Sequence, residues 1–169
     1  MIRALSIFVF VPCLISLVSI LEARAEMGTI SNGHGHKYVC ELVAKKCNGE
    51  GKVYFQGHLI YEGGLTHEGL PYLPEYHGYG KLHHLGDVDF EGEFRNGKYH
   101  GKGEERANGN TYIGNFEDDK YEGYGELRFK NGNTYIGEFS AGLFNGQGVL
   151  KHKNGRTQSG LWENNLFIK

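Results

Sequence analysis

The sequence repeats itself every 22 to 23 residues, and this repeat constrains the fold more than any other feature. Three segments align in phase and read FEGEF, YIGNF and YIGEF, namely Phe90–Phe94, Tyr112–Phe116 and Tyr135–Phe139. Each is followed by Gly-x-Gly and then by Asn-Gly. Short tandem repeats of this kind form arrays in which each unit packs on its neighbours.

The pattern continues on both sides in weaker form. Upstream copies begin at Tyr61 and Tyr38, and a downstream copy begins at Gln158 but stops before its return strand. The sequence therefore predicts one domain over residues 38–169, with five full copies and a C-terminal half copy.

The sequence of a single repeat predicts a β-hairpin. Tyr112, Gly114 and Phe116 alternate, so they share one face of a strand. Asn-Gly between two strands favours a type I′ turn, which needs positive φ at both central residues. The glycines of Gly-x-Gly leave room for rings from a neighbouring unit. A propeller or closed barrel is the alternative, but a 23-residue unit holds only two strands. We therefore expect an all-β, elongated stack of tandem antiparallel hairpins.

The combination of Tyr-x-Gly-x-Phe, Gly-x-Gly and Asn-Gly resembles the MORN (membrane occupation and recognition nexus) repeat. The resemblance covers about 130 residues. It implies an elongated β-stack with roles in protein–protein contact, dimerisation and, in some members, phospholipid association. It implies no enzymatic activity, and the sequence gives no reason to expect a cofactor.

The N-terminal segment is typical of a secretory signal peptide. Arg3 precedes an apolar run over residues 4–21, and Ala23-Arg24-Ala25 has small residues at the cleavage positions. We expect residues 1–25 to be removed and the protein to be secreted or periplasmic. An uncleaved N-terminal anchor is the alternative. Residues 26–37 are predicted to be a flexible leader.

Charge excludes one class of partner. The whole chain carries a net charge of −2, and removal of residues 1–25 takes away Arg3, Arg24 and Glu22, which leaves −3. A chain with a net negative charge and no cluster of basic residues lacks the surface that binds nucleic acid. The chain also lacks a polybasic block for an anionic membrane.

Two cysteines replace repeat residues in the first copy. Cys40 stands where later copies have glycine, and Cys47 stands where they have Tyr or Phe before Gly-x-Gly. In an oxidising compartment this pattern predicts a Cys40–Cys47 disulfide. A redox or metal pair is the alternative.

The second copy contains an insertion. His77 comes twelve positions after Leu65, whereas the corresponding step in the other copies is six positions. Loops on a rigid scaffold are frequent binding sites, so the insertion is a candidate binding loop; an inert surface insertion is the alternative. The candidate residues are Leu70, Pro71, Tyr72, Leu73, Pro74 and Tyr76.

The C-terminal half copy is expected to leave a sheet edge open, and open edges invite pairing. Apolar side chains cluster there, which predicts a homodimer or a partner contact. The candidate residues are Phe144, Leu161, Trp162, Leu166 and Phe167.

No catalytic motif is present in the sequence. His34 and His36 are spaced to share a metal, but no further ligand accompanies them, and we expect no metal site. The sequence therefore predicts a secreted or periplasmic binding or scaffold protein that mediates protein–protein interaction. A phospholipid-associated module and a carbohydrate-binding module, with exposed Tyr and Trp162 stacking on sugars, are the alternatives.

Overall fold

The structure is a computed structural model that describes residues 26–67, 73–84 and 87–169. The predicted signal peptide and the loop residues Leu70, Pro71 and Tyr72 lie outside the described residues. Regular structure in the described part consists of thirteen strands. They are β1 Glu26–Ser31, β2 His36–Val43, β3 Lys46–Phe55, β4 His58–Thr66, β5 Glu75–His84, β6 Asp87–Arg95, β7 Lys98–Ala107, β8 Asn110–Glu117, β9 Lys120–Arg128, β10 Thr134–Ser140, β11 Leu143–Lys151, β12 Thr157–Glu163 and β13 Leu166–Phe167.

All thirteen strands form one sheet, and they lie in it in the order of the chain. Every strand pairs antiparallel with the next one. The predicted all-β stack of antiparallel hairpins is therefore confirmed. The five full copies correspond to the hairpins from β2–β3 to β10–β11, and the half copy begins at β12.

One glycine from each of ten consecutive strands stands in a single row across the sheet. In the register of the strands each of these glycines faces the next, from β3 to β12. The glycine row consists of Gly51, Gly63, Gly80, Gly92, Gly103, Gly114, Gly125, Gly137, Gly148 and Gly160.

Aromatic rings cover the glycine row on one side of the sheet, which we call the ring face. A Cβ atom at Gly114 or Gly125 would collide with the ring of Tyr112, so only glycine fits there. The prediction that rings of a neighbouring unit pack on these glycines is wrong, because Tyr112 belongs to the same hairpin as Gly114 and Gly125.

The first glycine of each Gly-x-Gly has a different role. At Gly123 the φ of 63° accommodates an irregularity in the pairing of β8 with β9.

The rings stack on each other along the sheet and form the core. Tyr112 stacks on Tyr121 with centroids 3.7 Å apart, and it meets Phe116 edge-on at 5.0 Å. It also meets Phe139 of the next hairpin edge-on at 5.1 Å. Equivalent contacts continue from Tyr61 to Phe167 without a break. Edge-on and stacked pairs are the favoured aromatic geometries, so each hairpin buries its rings against the next.

The N-terminal segment of the described chain differs from the prediction of a flexible leader. Residues 26–31 form strand β1, which pairs with β2 over its whole length. Gly28 lies opposite Cys40, and Ile30 lies opposite Tyr38 and packs against the core. This strand has Gly28-Thr29-Ile30 where several later return strands have Gly-x-Leu, and it lacks their rings, so the aromatic pattern gives no signal there.

The Asn-Gly turns are of two kinds. Asn108 and Gly109 have φ values of 55° and 81°, as the predicted type I′ turn requires. At Asn131–Gly132 the prediction is wrong, because only the glycine has positive φ. The copy that contains Asn131 is one residue longer, so its loop is wider. There the Asn131 side chain accepts a hydrogen bond from the backbone N–H of Asn133 at 2.9 Å.

Candidate functional site

The Cys40–Cys47 disulfide is present and joins β2 to β3, with Cα atoms 5.5 Å apart. Both residues are completely buried. In the register of the strands Cys40 lies between Gly28 and Gly51, next to the end of the glycine row. Cys47 occupies the position that a stacking Tyr or Phe has in later copies, and the disulfide cross-links the hairpin at that place. The stacked neighbour of Tyr38 is His36, with centroids 6.4 Å apart. The burial and position of the disulfide fit a structural bond.

The described half of the candidate binding loop is packed rather than free. Tyr76 stacks on Tyr61 with centroids 3.9 Å apart, so it belongs to the file of core rings. Pro74 is buried, and Leu73 packs against the core. The C-terminal end of the insertion therefore packs against the ring face, and Leu70, Pro71 and Tyr72 lie outside the described residues.

The C-terminal edge is paired more fully than the sequence predicts. Strand β13 pairs with β12, and the backbone N–H of Leu161 donates to the carbonyl of Lys169 at 2.7 Å. Trp162 is buried and meets Phe144 edge-on, and its indole N–H donates to the Gly148 carbonyl at 3.2 Å. Of the predicted contact residues, Leu166 and Phe167 are exposed. The predicted contact between copies stays a prediction.

A surface that the sequence did not predict lies on the opposite side of the sheet, which we call the groove face. Two shallow recesses follow each other there, with volumes of about 540 and 510 Å³. Glycines of the glycine row line both recesses, so the backbone itself forms much of their surface. Tyr79 lines both recesses and joins them into one groove.

Two tyrosines project from the groove face. Tyr79 is 58% exposed and Tyr124 is 62% exposed, whereas Tyr112 on the ring face is fully buried. Both exposed tyrosines occupy the central position of Gly-x-Gly. Since strand side chains alternate, that position must face away from the rings. This alternation is the sequence signal that could have located the groove.

The Tyr79 ring is held in place by a chain of polar contacts. Its hydroxyl donates to the Glu91 carboxylate at 2.7 Å, and Lys81 lies 3.2 Å from the same carboxylate. The hydrogen bond from Tyr79, followed by the contact with Lys81, lowers the pKa of the Glu91 carboxyl. The same hydrogen bond raises the pKa of the Tyr79 phenol. The groove therefore presents a preorganised ring.

Ion pairs lie beside the groove on either side of Tyr79. Lys52 on β3 pairs across the strands with Glu62 on β4 at 3.3 Å, and within β7 Glu104 pairs with Arg106 at 2.6 Å. By contrast, no Lys, Arg or His nitrogen of the described residues lies within 4.0 Å of the carboxylates of Glu41 and Glu50. Both of these carboxylates line the first recess.

The groups that line the groove are suited to binding a ligand. In the described ranges no group of three or more His, Cys, Asp or Glu side chains is placed to hold a metal ion. On the ring face, burial raises the pKa values of Tyr76 and Tyr99 to about 12, which keeps these phenols neutral. Exposed rings, ion pairs and a backbone floor are groups that recognise a ligand.

Comparison with known families gives one match. The family model described as MORN repeat matches residues 90–111, 112–134 and 135–155. Residues 90–155 are three tandem MORN repeats. Such repeats suggest a repeat-based binding or scaffold role, and the family is not known as enzymatic. No curated protein matches the chain.

The MORN architecture extends beyond the matched residues. Strands β2 to β5 precede the match and continue the same sheet, with Gly63 and Gly80 in the glycine row and Tyr61 stacked on Tyr76. After the match, Trp162 continues the file of rings. The part of the chain that the structure describes contains no helix long and apolar enough to span a membrane.

Proposed function

We propose that this MORN-repeat protein is a secreted or periplasmic scaffold that binds a protein partner on its groove face. The observation that carries the proposal is the pair of exposed tyrosines, Tyr79 and Tyr124, on a groove with a glycine floor. Tyrosine is enriched at the energetic centres of protein interfaces. A single-layer sheet that buries its own rings on one side leaves the other side available to a partner.

The secreted or periplasmic location is supported by the N-terminal sequence and by the buried Cys40–Cys47 bond, because disulfides persist in oxidising compartments. The test is the N-terminal residue of the protein recovered from its native compartment. A chain that begins at Glu26 outside the cytoplasm supports the location. A chain that keeps Met1 and remains in the cytoplasm contradicts it.

Protein binding on the groove face is tested by site-specific photo-crosslinking in the native cells. A photoreactive residue replaces Ile113, which is exposed in the second recess, and in a control replaces Asp118 at a turn. We expect a defined protein adduct from position 113 and not from position 118. Adducts of equal intensity at both positions, or adducts with lipid or glycan alone, contradict the proposal.

A further inference from the structure

The two recesses of the groove differ in which of their charged side chains lack an ion-pair partner among the described residues. Glu41, Glu50 and Glu62 line the first recess together with Lys52 and Lys81. Lys52 is engaged by Glu62, and Lys81 is engaged by Glu91. Glu41 and Glu50 therefore supply the unneutralised charge of this recess, which is complementary to a cation.

Apolar surface adjoins these two carboxylates. Met27 and Val39 line the same recess, and Tyr79 forms its far wall. The aliphatic stem of Lys or Arg packs on apolar side chains while its head group reaches a carboxylate. The face of a tyrosine ring also attracts a Lys or Arg cation. The first recess therefore suits one long basic side chain.

The second recess suits a different side chain. Lys102 lines it without an ion pair among the described residues, and it repels a second cation. Ile113 and Tyr124 provide exposed apolar surface in the same recess. An apolar side chain of a partner is buried there at the least electrostatic cost.

The distance between the recesses sets a spacing in the partner. Glu50 lies on β3 and Ile113 on β8, five strands further along the sheet. Strands lie about 4.8 Å apart, so the two side chains are separated by roughly 24 Å along the glycine row. An extended chain advances about 3.3 Å per residue and covers that distance with about seven residues.

We infer that the groove face binds an extended segment of a protein partner that places a Lys or Arg in the first recess and an apolar side chain in the second, about seven residues away. This inference rests on the proposed function and adds the chemistry of the two anchor residues in the bound segment and the spacing between them. An anionic membrane surface is disfavoured as occupant, because Glu41 and Glu50 repel phosphate groups.

The test begins with a phage-displayed library of random dodecapeptides, selected on the full chain. We expect the enriched peptides to carry Lys or Arg and an apolar residue about seven positions apart. The affinity of one enriched peptide is then measured by fluorescence anisotropy. Removal of one charge-assisted contact through Glu50→Gln is expected to weaken binding about tenfold.

Double-mutant cycles separate a direct contact from an indirect effect. Glu50→Gln is combined with a peptide whose basic residue is Ala, and Ile113→Ser is combined with a peptide whose apolar residue is Ala. We expect the two losses in each cycle to be non-additive. Glu117→Gln at the exposed end of β8, outside both recesses, is the control, with unchanged affinity.

Additive losses in both cycles overturn the inference, and so does enrichment of peptides without the basic residue or no enrichment at all. In those cases a protein adduct from the photoreactive residue at position 113 still leaves the proposed function standing. Absence of that adduct removes the proposed function as well, so the two failures are distinguishable.

Discussion

On the ring face Tyr112 is fully buried, while its neighbour on the groove face, Ile113, is 40% exposed. The same contrast holds along the sheet, because the strands alternate between the two sides. Both faces use the glycine row. On one side rings cover the glycines of the row from Gly63 to Gly148, and on the other side the bare backbone forms the floor of the groove. Substitutions on the two faces should therefore have different effects, on stability and on binding respectively.

The largest difference between the two faces is expected when a side chain is introduced into the glycine row. A Cβ at Gly137 meets the Cα of Gly148 and the carbonyl of Gln147, which are backbone atoms that cannot move aside. We expect Gly137→Val to lower the free energy of unfolding by more than about 3 kcal/mol or to prevent folding. The adjacent Ile136→Val, on the groove face, should change it by less than about 0.5 kcal/mol. Urea denaturation compares the two.

High pH offers a second test of the ring face. Burial raises the pKa values of Tyr76 and Tyr99 from 10.0 to about 12. A folded-state pKa above the unfolded value means that the stabilisation is complete below pH 10 and is lost as the pH rises to about 12. We expect ionisation of the buried ring-face tyrosines and loss of sheet signal to increase together in this window. Phenolate formation at these buried tyrosines, in a protein that keeps its sheet signal, contradicts the burial of the rings.

The disulfide distinguishes the first hairpin from the regular ones. Removal of the link in Cys40→Ala/Cys47→Ala releases a loop of eight residues in the unfolded chain, which costs about 2.5 kcal/mol on the chain-entropy model. The measurement is urea unfolding of the oxidised protein and of the double variant. A reductant should have no further effect on the double variant. Equal stability of the two proteins would show that the first hairpin is held without the bond.

The smallest expected effect concerns the groove face. Tyr79→Phe removes the hydrogen bond to Glu91 but keeps the exposed ring. Since that hydrogen bond is the main cause of the lowered pKa of Glu91, the pKa should rise towards its ordinary value. Stability should change by less than about 0.5 kcal/mol, because the pair is exposed. Titration by NMR measures the first quantity, and an unchanged pKa of Glu91 would remove Glu91 as the partner that orients the ring.

Much of the ring face could be predicted from sequence, because its residues recur in phase. The alternation of Tyr112, Gly114 and Phe116 predicts a strand. Cys40 is recognised as unusual because later copies have glycine at its position in the repeat. Strand β1 could not be predicted from the repeat, because Ile30 has no aromatic residue beside it at the repeat spacing. The type I′ turn predicted at Asn131–Gly132 does not form, because one extra residue widens the loop although the Asn-Gly pair is the same.

The groove face could not be predicted in the same way. Its residues vary from copy to copy, so Tyr79 and Tyr124 stand in a column that also holds Glu50, Lys102 and Gln147. A column that varies gives no periodic signal, although it determines what a ligand meets. The ion pair of Lys81 with Glu91 becomes visible only when the strand register places them opposite each other.

The division between the two faces is tested most directly by truncating one tyrosine on each. Tyr112→Ala empties a buried ring position that touches Phe116, Tyr121 and Phe139, whereas Tyr124→Ala removes an exposed ring from the groove. The account predicts that urea unfolding shows a loss of about 3–5 kcal/mol for Tyr112→Ala and of less than about 0.5 kcal/mol for Tyr124→Ala. Losses of similar size for the two variants would contradict it.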